Sequence, residues 1–464
     1  MSAENPNIAD AVEDQNNPFV LTDDEIRQIV EALRAQDSDT VHAHIDDLSW
    51  ADAAELIAKM GEDDREEFLK MYATALDPLT FTEMDYELRR KCLPLLSADY
   101  VAEIISELES DDALDLVTYL DEDFRHIVIR KLSAKTRVAL EEGLSFPEDS
   151  AARLMQREVV AVPEFWTVGK TIDYLRAAAE DLPENFFDII VVDPAYHAIG
   201  QIPLNRLIRA GRSDKIRNLA LDDTYPIPAD MDQEEVADIF RRDNIISAPV
   251  VDENGRLLGV ITIDDIVDVI DEEAQEDLLK MAGVDQGDLY RAALSTTSTR
   301  FRWLFVNLIT AILASVVISF FDATIEQIVA LAVLMPIVAS MGGNAGTQAL
   351  TVAVRALSTR ELSETNAWRI IWKETIVGTV NGALFAVITG IVAALWFGNP
   401  VLGLVIGMAM IVNLVAAGLC GAGIPILLNR MGSDPAVSST VFLTTVTDVV
   451  GFFAFLWLAS IFLI

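Results

Sequence analysis

Thr444-Thr445-Val446-Thr447-Asp448-Val449-Val450-Gly451 decides how the C-terminal third of the chain is read. It lies inside an apolar run from about 436 to 463, and about 20 helical residues suffice to cross a hydrocarbon core. An ionisable group at that depth costs at least ~2.5 kcal/mol on insertion scales and marks an ion pathway. The other reading is a protonated Asp hydrogen-bonded between helices. No other span offers a Lys or Arg at that depth, which favours a carboxylate placed to meet a cation.

Four further apolar stretches precede it, at about 303–321, 328–357, 376–397 and 401–428, each long enough to span. The loop with Asp322 and Glu326 has no base, and neither does Gly398-Asn399-Pro400. The loop with Arg355, Arg360, Arg369 and Lys373 is basic, and Arg430 lies in the fourth. By the positive-inside rule the N-terminal half is cytosolic and the C-terminus outside.

The second stretch carries Pro336 and then Met341-Gly342-Gly343-Asn344-Ala345-Gly346-Thr347-Gln348, a polar Gly-rich insert. One reading is a broken helix whose backbone lines a wet cavity and presents carbonyls and amides to ions. The other is glycines packed closely against a neighbouring helix. Asn413, with Gly418, Gly421, Gly423 and Pro425 near it, leaves the same two readings open in the fourth stretch.

Charge divides the chain. It has 34 Lys+Arg and 73 Asp+Glu; 28 and 66 of them fall in the first 300 residues, a net charge near −38. Such a segment repels itself and calls for cations to neutralise it, and it repels nucleic-acid phosphates. The first 30 residues lack a basic region followed by an apolar core, so no cleaved signal peptide is expected. Cys92 and Cys420 imply no disulfide framework. His42 and His44 are two apart and do not share a helical face. No P-loop, nucleophile elbow or metal-hydrolase spacing marks an enzyme.

Residues 1–20 are polar and Asn-rich and read as a disordered tail. Over 21–148 the apolar period is helical, with a repeat at an offset of 48: Leu48-Ser49, Ala54-Glu55, Ile57 and Asp63-Asp64 match Leu96-Ser97, Ala102-Glu103, Ile105 and Asp111-Asp112. Stacked helix pairs follow, a small superhelical domain. Near Ser150 the period changes. Ile189-Ile190-Val191-Val192-Asp193 recurs 59 residues later as Ala248-Pro249-Val250-Val251-Asp252, with Gly200 matching Gly259. Strand, turn, strand, helix in tandem resembles a CBS-domain pair, an α/β regulatory module, with copies at 149–212 and 213–271. In the first copy Pro194-Ala195-Tyr196-His197 replaces the turn Asp252-Glu253-Asn254-Gly255. A connecting helix at 272–300 leads to the spanning domain at 301–464.

Acids crowd the segment leaving the second copy. Asp265, Asp268, Glu272, Glu276 and the pair Glu273/Asp277 sit at three- or four-residue spacing, where like charges destabilise a helix. The faces are either solvated or bridged by divalent cations to acids such as Asp111, Asp112 and Asp115. Bridging gives a two-state element biased by ion concentration. Mg²⁺ demands octahedral oxygen ligands and sheds water reluctantly. Its pore should be wide and sparse in carboxylates. One Asp per chain suits that, and two chains on an axis would flank the ion with two Asp448 carboxylates.

The whole chain resembles the MgtE family of magnesium channels. The resemblance rests on Pro336 with Gly342 to Gln348, on Gly432-Ser433-Asp434-Pro435-Ala436, and on Thr447-Asp448-Val449-Val450-Gly451. It implies a multidomain fold: an all-α superhelical N domain, an α/β CBS-domain pair, a long connecting helix and a five-span α-helical transmembrane domain. It also implies a homodimer in a bacterial-type cytoplasmic membrane, with the second and fifth spans lining the pore. Asp448 would hold Mg²⁺ in the filter, with Gly342, Gly343, Asn344, Gly346, Thr347, Gln348, Asn413 and Asp434 near it; the family has Asn where Thr347 stands. Cytosolic Mg²⁺ would close the pore through Asp265, Asp268, Glu273, Glu276, Asp277, Asp232 and Glu234, and some members bind ATP at the CBS pair. The alternatives are a broader divalent transporter for Co²⁺ or Mn²⁺, and a nucleotide-sensing membrane regulator that transports nothing.

Overall fold

The computed structural model describes residues 21–179, 182–183, 185–221, 224–284, 290–291, 293–362 and 365–464, with the side chains of 437 and 438 excepted. The expected tail at 1–20 and part of the expected connecting helix lie outside the described residues. Two compact units result, one ending at Glu273 and one running Ala274–Ile464.

In the first unit the 48-residue repeat is a repeat of packing. Helix Trp50–Lys59 buries Ala53, Ala54, Leu56 and Ile57, and helix Ala98–Glu107 buries Val101, Ala102, Ile104 and Ile105, position for position. Each starts at a serine whose hydroxyl accepts a backbone N–H three residues on, Ser49 from Asp52 at 3.1 Å and Ser97 from Tyr100 at 3.2 Å. Such caps satisfy a donor that the helix leaves orphaned. Each is followed by an acidic helix, Glu62–Tyr72 and Ser110–Thr118.

The sheet-bearing part holds two three-stranded sheets of equal topology. Strands β1 (Ala161–Pro163), β2 (Asp188–Val192) and β3 (Ala198–Pro203) form the first, and β4 (Ile227–Pro228), β5 (Ser247–Val251) and β6 (Leu257–Thr262) the second. The first pairing is parallel and the second antiparallel in both, with a register shift at Val191/Val192 and at Val250/Val251.

The turn that differs in sequence is the same turn in space. Asp193 Oδ1 accepts from Ala195 N (2.8 Å) and His197 N (2.9 Å); Asp252 Oδ1 accepts from Asn254 N and Arg256 N, both 2.8 Å. Tyr196 takes the left-handed place of Gly255, with φ of 68° and 80°. That conformation costs a non-glycine residue about 1–2 kcal/mol, and the pair of Asp hydrogen bonds that holds the turn is the same in both copies.

The two copies also exchange segments across the expected border at 212/213. Ala151, Ala152 and Met155 lie in the second copy's core with Phe240, Val250 and Ile261. Ile216 and Leu219 lie in the first copy's core with Ile189 and Ile202. Helix Ile263–Ala282 leaves β6 directly and buries Ile266 and Val269 in that second core. It therefore starts earlier than 272 and ends at Gly283, whose φ is 69°.

In the second unit, five helices among the described residues are long and apolar enough to cross a membrane. They are Ala293–Ser319, Ala330–Ser358, Ala367–Phe397, Pro400–Arg430 and Pro435–Phe462, called the first to fifth spans below. The third and fourth approach almost backbone to backbone. A Cβ on Gly378 would stand 2.3 Å from Leu414 O, and one on Gly403 2.4 Å from Gly390 O. Small residues at the crossing give membrane helices their dispersion contact, since lipid supplies no hydrophobic drive between them.

The second span is one continuous helix through the Gly-rich insert, contrary to the broken helix expected. Pro336 sits in its second turn and leaves only the carbonyl four residues earlier, Ala332, without its ladder donor. The glycines remain helical because unpaired backbone would cost several kcal/mol in hydrocarbon.

Candidate ion pathway and acidic cluster

Asp448 lies near the middle of the fifth span and is half-buried. Among the described residues no group hydrogen-bonds or ion-pairs with it. A protonated Asp tied between helices needs such a partner. The threonines beside it turn inward to their own helix: Thr444 to Thr440 O at 3.0 Å, Thr445 to Val441 O at 2.6 Å and Thr447 to Leu443 O at 3.1 Å. Each still has oxygen lone pairs to offer.

The expected filter residues divide by helix face. Gly342 and Gly346 are buried contacts: a Cβ there would meet Asn413 Nδ2 at 2.1 Å and Leu443 Cδ1 at 2.9 Å. Asn344, Thr347 and Gln348 are exposed, and a Cβ on Gly343 would meet nothing within 4 Å. Thr347 donates to Gly343 O at 3.0 Å. Asn413 is fully buried and is no lining residue of this chain. Asp434 caps the fifth span, accepting from Ala436 N at 2.8 Å, and pairs with Lys280 at 3.0 Å.

Of the expected sensing acids, five converge in the first unit. Asp111, Asp112 and Asp115 stand on helix Ser110–Thr118, and Asp265 and Asp268 on helix Ile263–Ala282, joined by Glu272. Burial, and after it the neighbouring Asp265, holds the Asp111 carboxyl well above the ordinary carboxylate range. Burial and then Asp115 lift Asp112 to about 6. Burial and then Asp264 lift Asp265 to about 7, although Thr262 donates to it at 2.9 Å. Burial and then Asp115 lift Glu272 to about 7. Asp268 is raised by burial and by Asp264, and Glu83 by burial and by Asp268.

A cation facing this cluster is Arg89, buried, ion-paired with Asp115, and donating from Nε to Met84 O at 2.5 Å. Among the described residues no three of these acids stand close enough to hold one metal ion. The cluster is a field of like charge, and its hard oxygen donors suit Mg²⁺ or Ca²⁺ better than a soft metal.

The remaining acids are placed elsewhere. Asp232 caps helix Gln233–Asp243, accepting from Glu234 N at 3.0 Å, and Glu234 is exposed on that helix. Glu273 accepts from Gln233 Nε2 at 2.8 Å. In the second unit Glu276 pairs with Lys280, and Asp277 accepts from Ser358 at the end of the second span. Thr440 of the fifth span donates to Met281 O at 3.1 Å. Glu83, Arg89 and Lys280 had no periodic signal that set them apart; only the i, i+4 spacing of Glu276 and Lys280 hinted at a pair.

The raised carboxylates have a sign for stability. Between about pH 4 and 7 the folded unit binds more protons than the unfolded chain, so its stability falls as pH rises through that window. Thermal unfolding of the full-length protein in detergent is expected to move to lower temperature from about pH 5 to about pH 8. Millimolar Mg²⁺ should recover more of the loss at the higher pH. An unfolding temperature flat in pH would separate these acids in solution.

Comparison with known proteins matches this layout. A family profile described as a divalent cation transporter, MgtE, matches residues 335–458, the MgtE intracellular N domain matches 48–149, and a CBS domain matches 216–272. The magnesium transporter MgtE of Thermus thermophilus is 34% identical over 355 residues, 76% of this chain and 78% of that protein. The magnesium transporter MgtE of Bacillus subtilis is 30% identical over 444 residues, 95% of this chain and 98% of that protein. Among solved structures, the cytosolic domain of the Mg²⁺ channel MgtE in complex with ATP is 29% identical, covering 53% of this chain and 99% of that one, with a TM-score of 0.49. The soluble part of a magnesium transporter is 26% identical, covering 54% and 98%, with a TM-score of 0.46. With a relative matched along nearly its whole length, and with N domain, CBS domain and spanning helices in the same order, the chain belongs to the MgtE family of magnesium transporters.

Proposed function

We propose that the protein conducts Mg²⁺ passively across a bacterial-type cytoplasmic membrane as a homodimer, and that cytosolic Mg²⁺ closes it. One observation carries the pore: Asp448 stands half-buried at mid-span with no partner among the described residues. A carboxylate there gains most from a passing cation, and a partly hydrated Mg²⁺ keeps the water that a single carboxylate per chain leaves in place. In proteoliposomes Asp448→Ala should lose most Mg²⁺ uptake; undiminished uptake would remove Asp448 from the path. Oxidation of Asp448→Cys chains should give covalent dimers. Monomers alone would deny a pore shared at this position by two chains.

The sensor reading rests on the like charge between helix Ser110–Thr118 and helix Ile263–Ala282. Divalent cations would draw these faces together, with Asp111, Asp112, Asp115, Asp265, Asp268 and Glu272 supplying oxygens, and their loss would let the faces part. The basic loops after the second and fourth spans support an N-terminal half in the cytosol and a C-terminus outside. In inside-out vesicles an added protease should reach 264–300, and protection of that segment should rise with Mg²⁺ over the millimolar range. Protection that ignores Mg²⁺ returns the acids to solvation. The CBS pair, with two sheets of matching register, is the place for ATP in this reading; a cleavage pattern unmoved by ATP would remove the nucleotide from it.

A further inference from the structure

Asn413 is fully buried in the middle of the fourth span. Its Nδ2 donates to Val338 O of the second span at 2.8 Å. A carbonyl only accepts, so the amide cannot be flipped and Oδ1 must point away. That oxygen has no hydrogen-bond partner among the described residues. The amide is also wedged between two glycines of other spans. A Cβ on Gly342 would stand 2.1 Å from Nδ2, and one on Gly451 2.7 Å from it.

Those two contacts place the amide at the level of the ion path. Gly451 follows Asp448 by three residues, less than one helical turn. Gly342 opens the segment whose exposed face holds Asn344, Thr347 and Gln348. A fourth-span side chain that touches no exposed pore face therefore fixes the second span by a hydrogen bond and the fifth by contact.

We propose that Asn413 is a positioning residue for conduction, whose amide sets the separation of the second and fifth spans beside Asp448 and thereby the size of cation admitted. The proposal rests on the pore reading above. An aliphatic side chain of similar volume would keep the contact and lose the tether. A methyl on Gly342 would push the tether away, and shortening Asn413 would make room for that methyl.

Uptake of Mg²⁺ and of the larger Ca²⁺ by the full-length protein in proteoliposomes tests it. In Asn413→Leu the ratio of Mg²⁺ to Ca²⁺ uptake should fall severalfold, because spans no longer tethered admit the larger ion more readily. Gly342→Ala should lose uptake, and Asn413→Ala in the same chain should restore about half of it, since mutually contacting residues are not additive. A wild-type ratio in Asn413→Leu, or a Gly342→Ala defect that Asn413→Ala leaves unchanged, overturns the proposal. Where Asn413→Leu fails to give monodisperse protein, the glycine pair alone decides. Wild-type behaviour of the Asn413 variants beside a dead Asp448→Ala discards the positioning role and leaves the pore reading intact; a fully active Asp448→Ala discards the pore reading itself.

Discussion

A carboxylate at membrane depth has to find a positive charge or a hydrogen bond, and the protein supplies Asp448 with neither among its described residues. The rest of the spanning unit can be understood as holding that group in place. The second span stays helical through its glycines, so its backbone is paired within the helix there and the exposed Asn344 and Gln348 side chains remain on its open face. The third and fourth spans close over glycines into a rigid pair. From that pair Asn413 reaches the second and fifth spans, whose open faces carry the remaining oxygen donors.

The first unit meets the same electrostatic problem in reverse. It gathers Asp111, Asp112, Asp265 and Glu272 where burial makes each charge costly, and sets a buried arginine, Arg89, against them. A protein seeking only stability would disperse these acids, since like charges gathered in a buried place raise one another's cost. Under the sensor reading proposed above, a divalent cation is what this convergence would serve. The helix that carries Asp265 and Glu272 also carries Asp277 and Lys280, which bind the last turn of the second span and the cap of the fifth.

Much of this was legible in residues, because period and offset are direct images of packing. The 48-residue spacing matched buried positions one for one, and the 59-residue spacing matched strands and register. The five spans followed from length and apolarity. What failed was the reading of Pro336 and the Gly-rich insert as a break: composition does not distinguish a glycine that bends a helix from one that lets a neighbour approach. Asp434 and Asp232, which the resemblance implies as ion ligands, each precede a helix and accept its early backbone N–H. A carboxylate's cap role and its ligand role look alike until the backbone around it is known. Glu83 and Arg89 reach the acidic cluster through tertiary folding alone, which no spacing encodes.

The exchange of segments between the two sheet-bearing copies has a mechanical meaning. Ala151, Ala152 and Met155 belong by order to the first copy and by burial to the second, and Ile216 and Leu219 the reverse. Neither copy can be lifted out without opening the core of the other. Ile266 and Val269 fasten the helix Ile263–Ala282 into that same core. A tug on the helix is therefore felt at Ala151 and Met155, close to where Gln156 and Arg153 grip Glu109 and Thr118 of the N-terminal helices, at 2.7 and 3.1 Å. Tension entering at one end of this unit has a short, stiff route to the other.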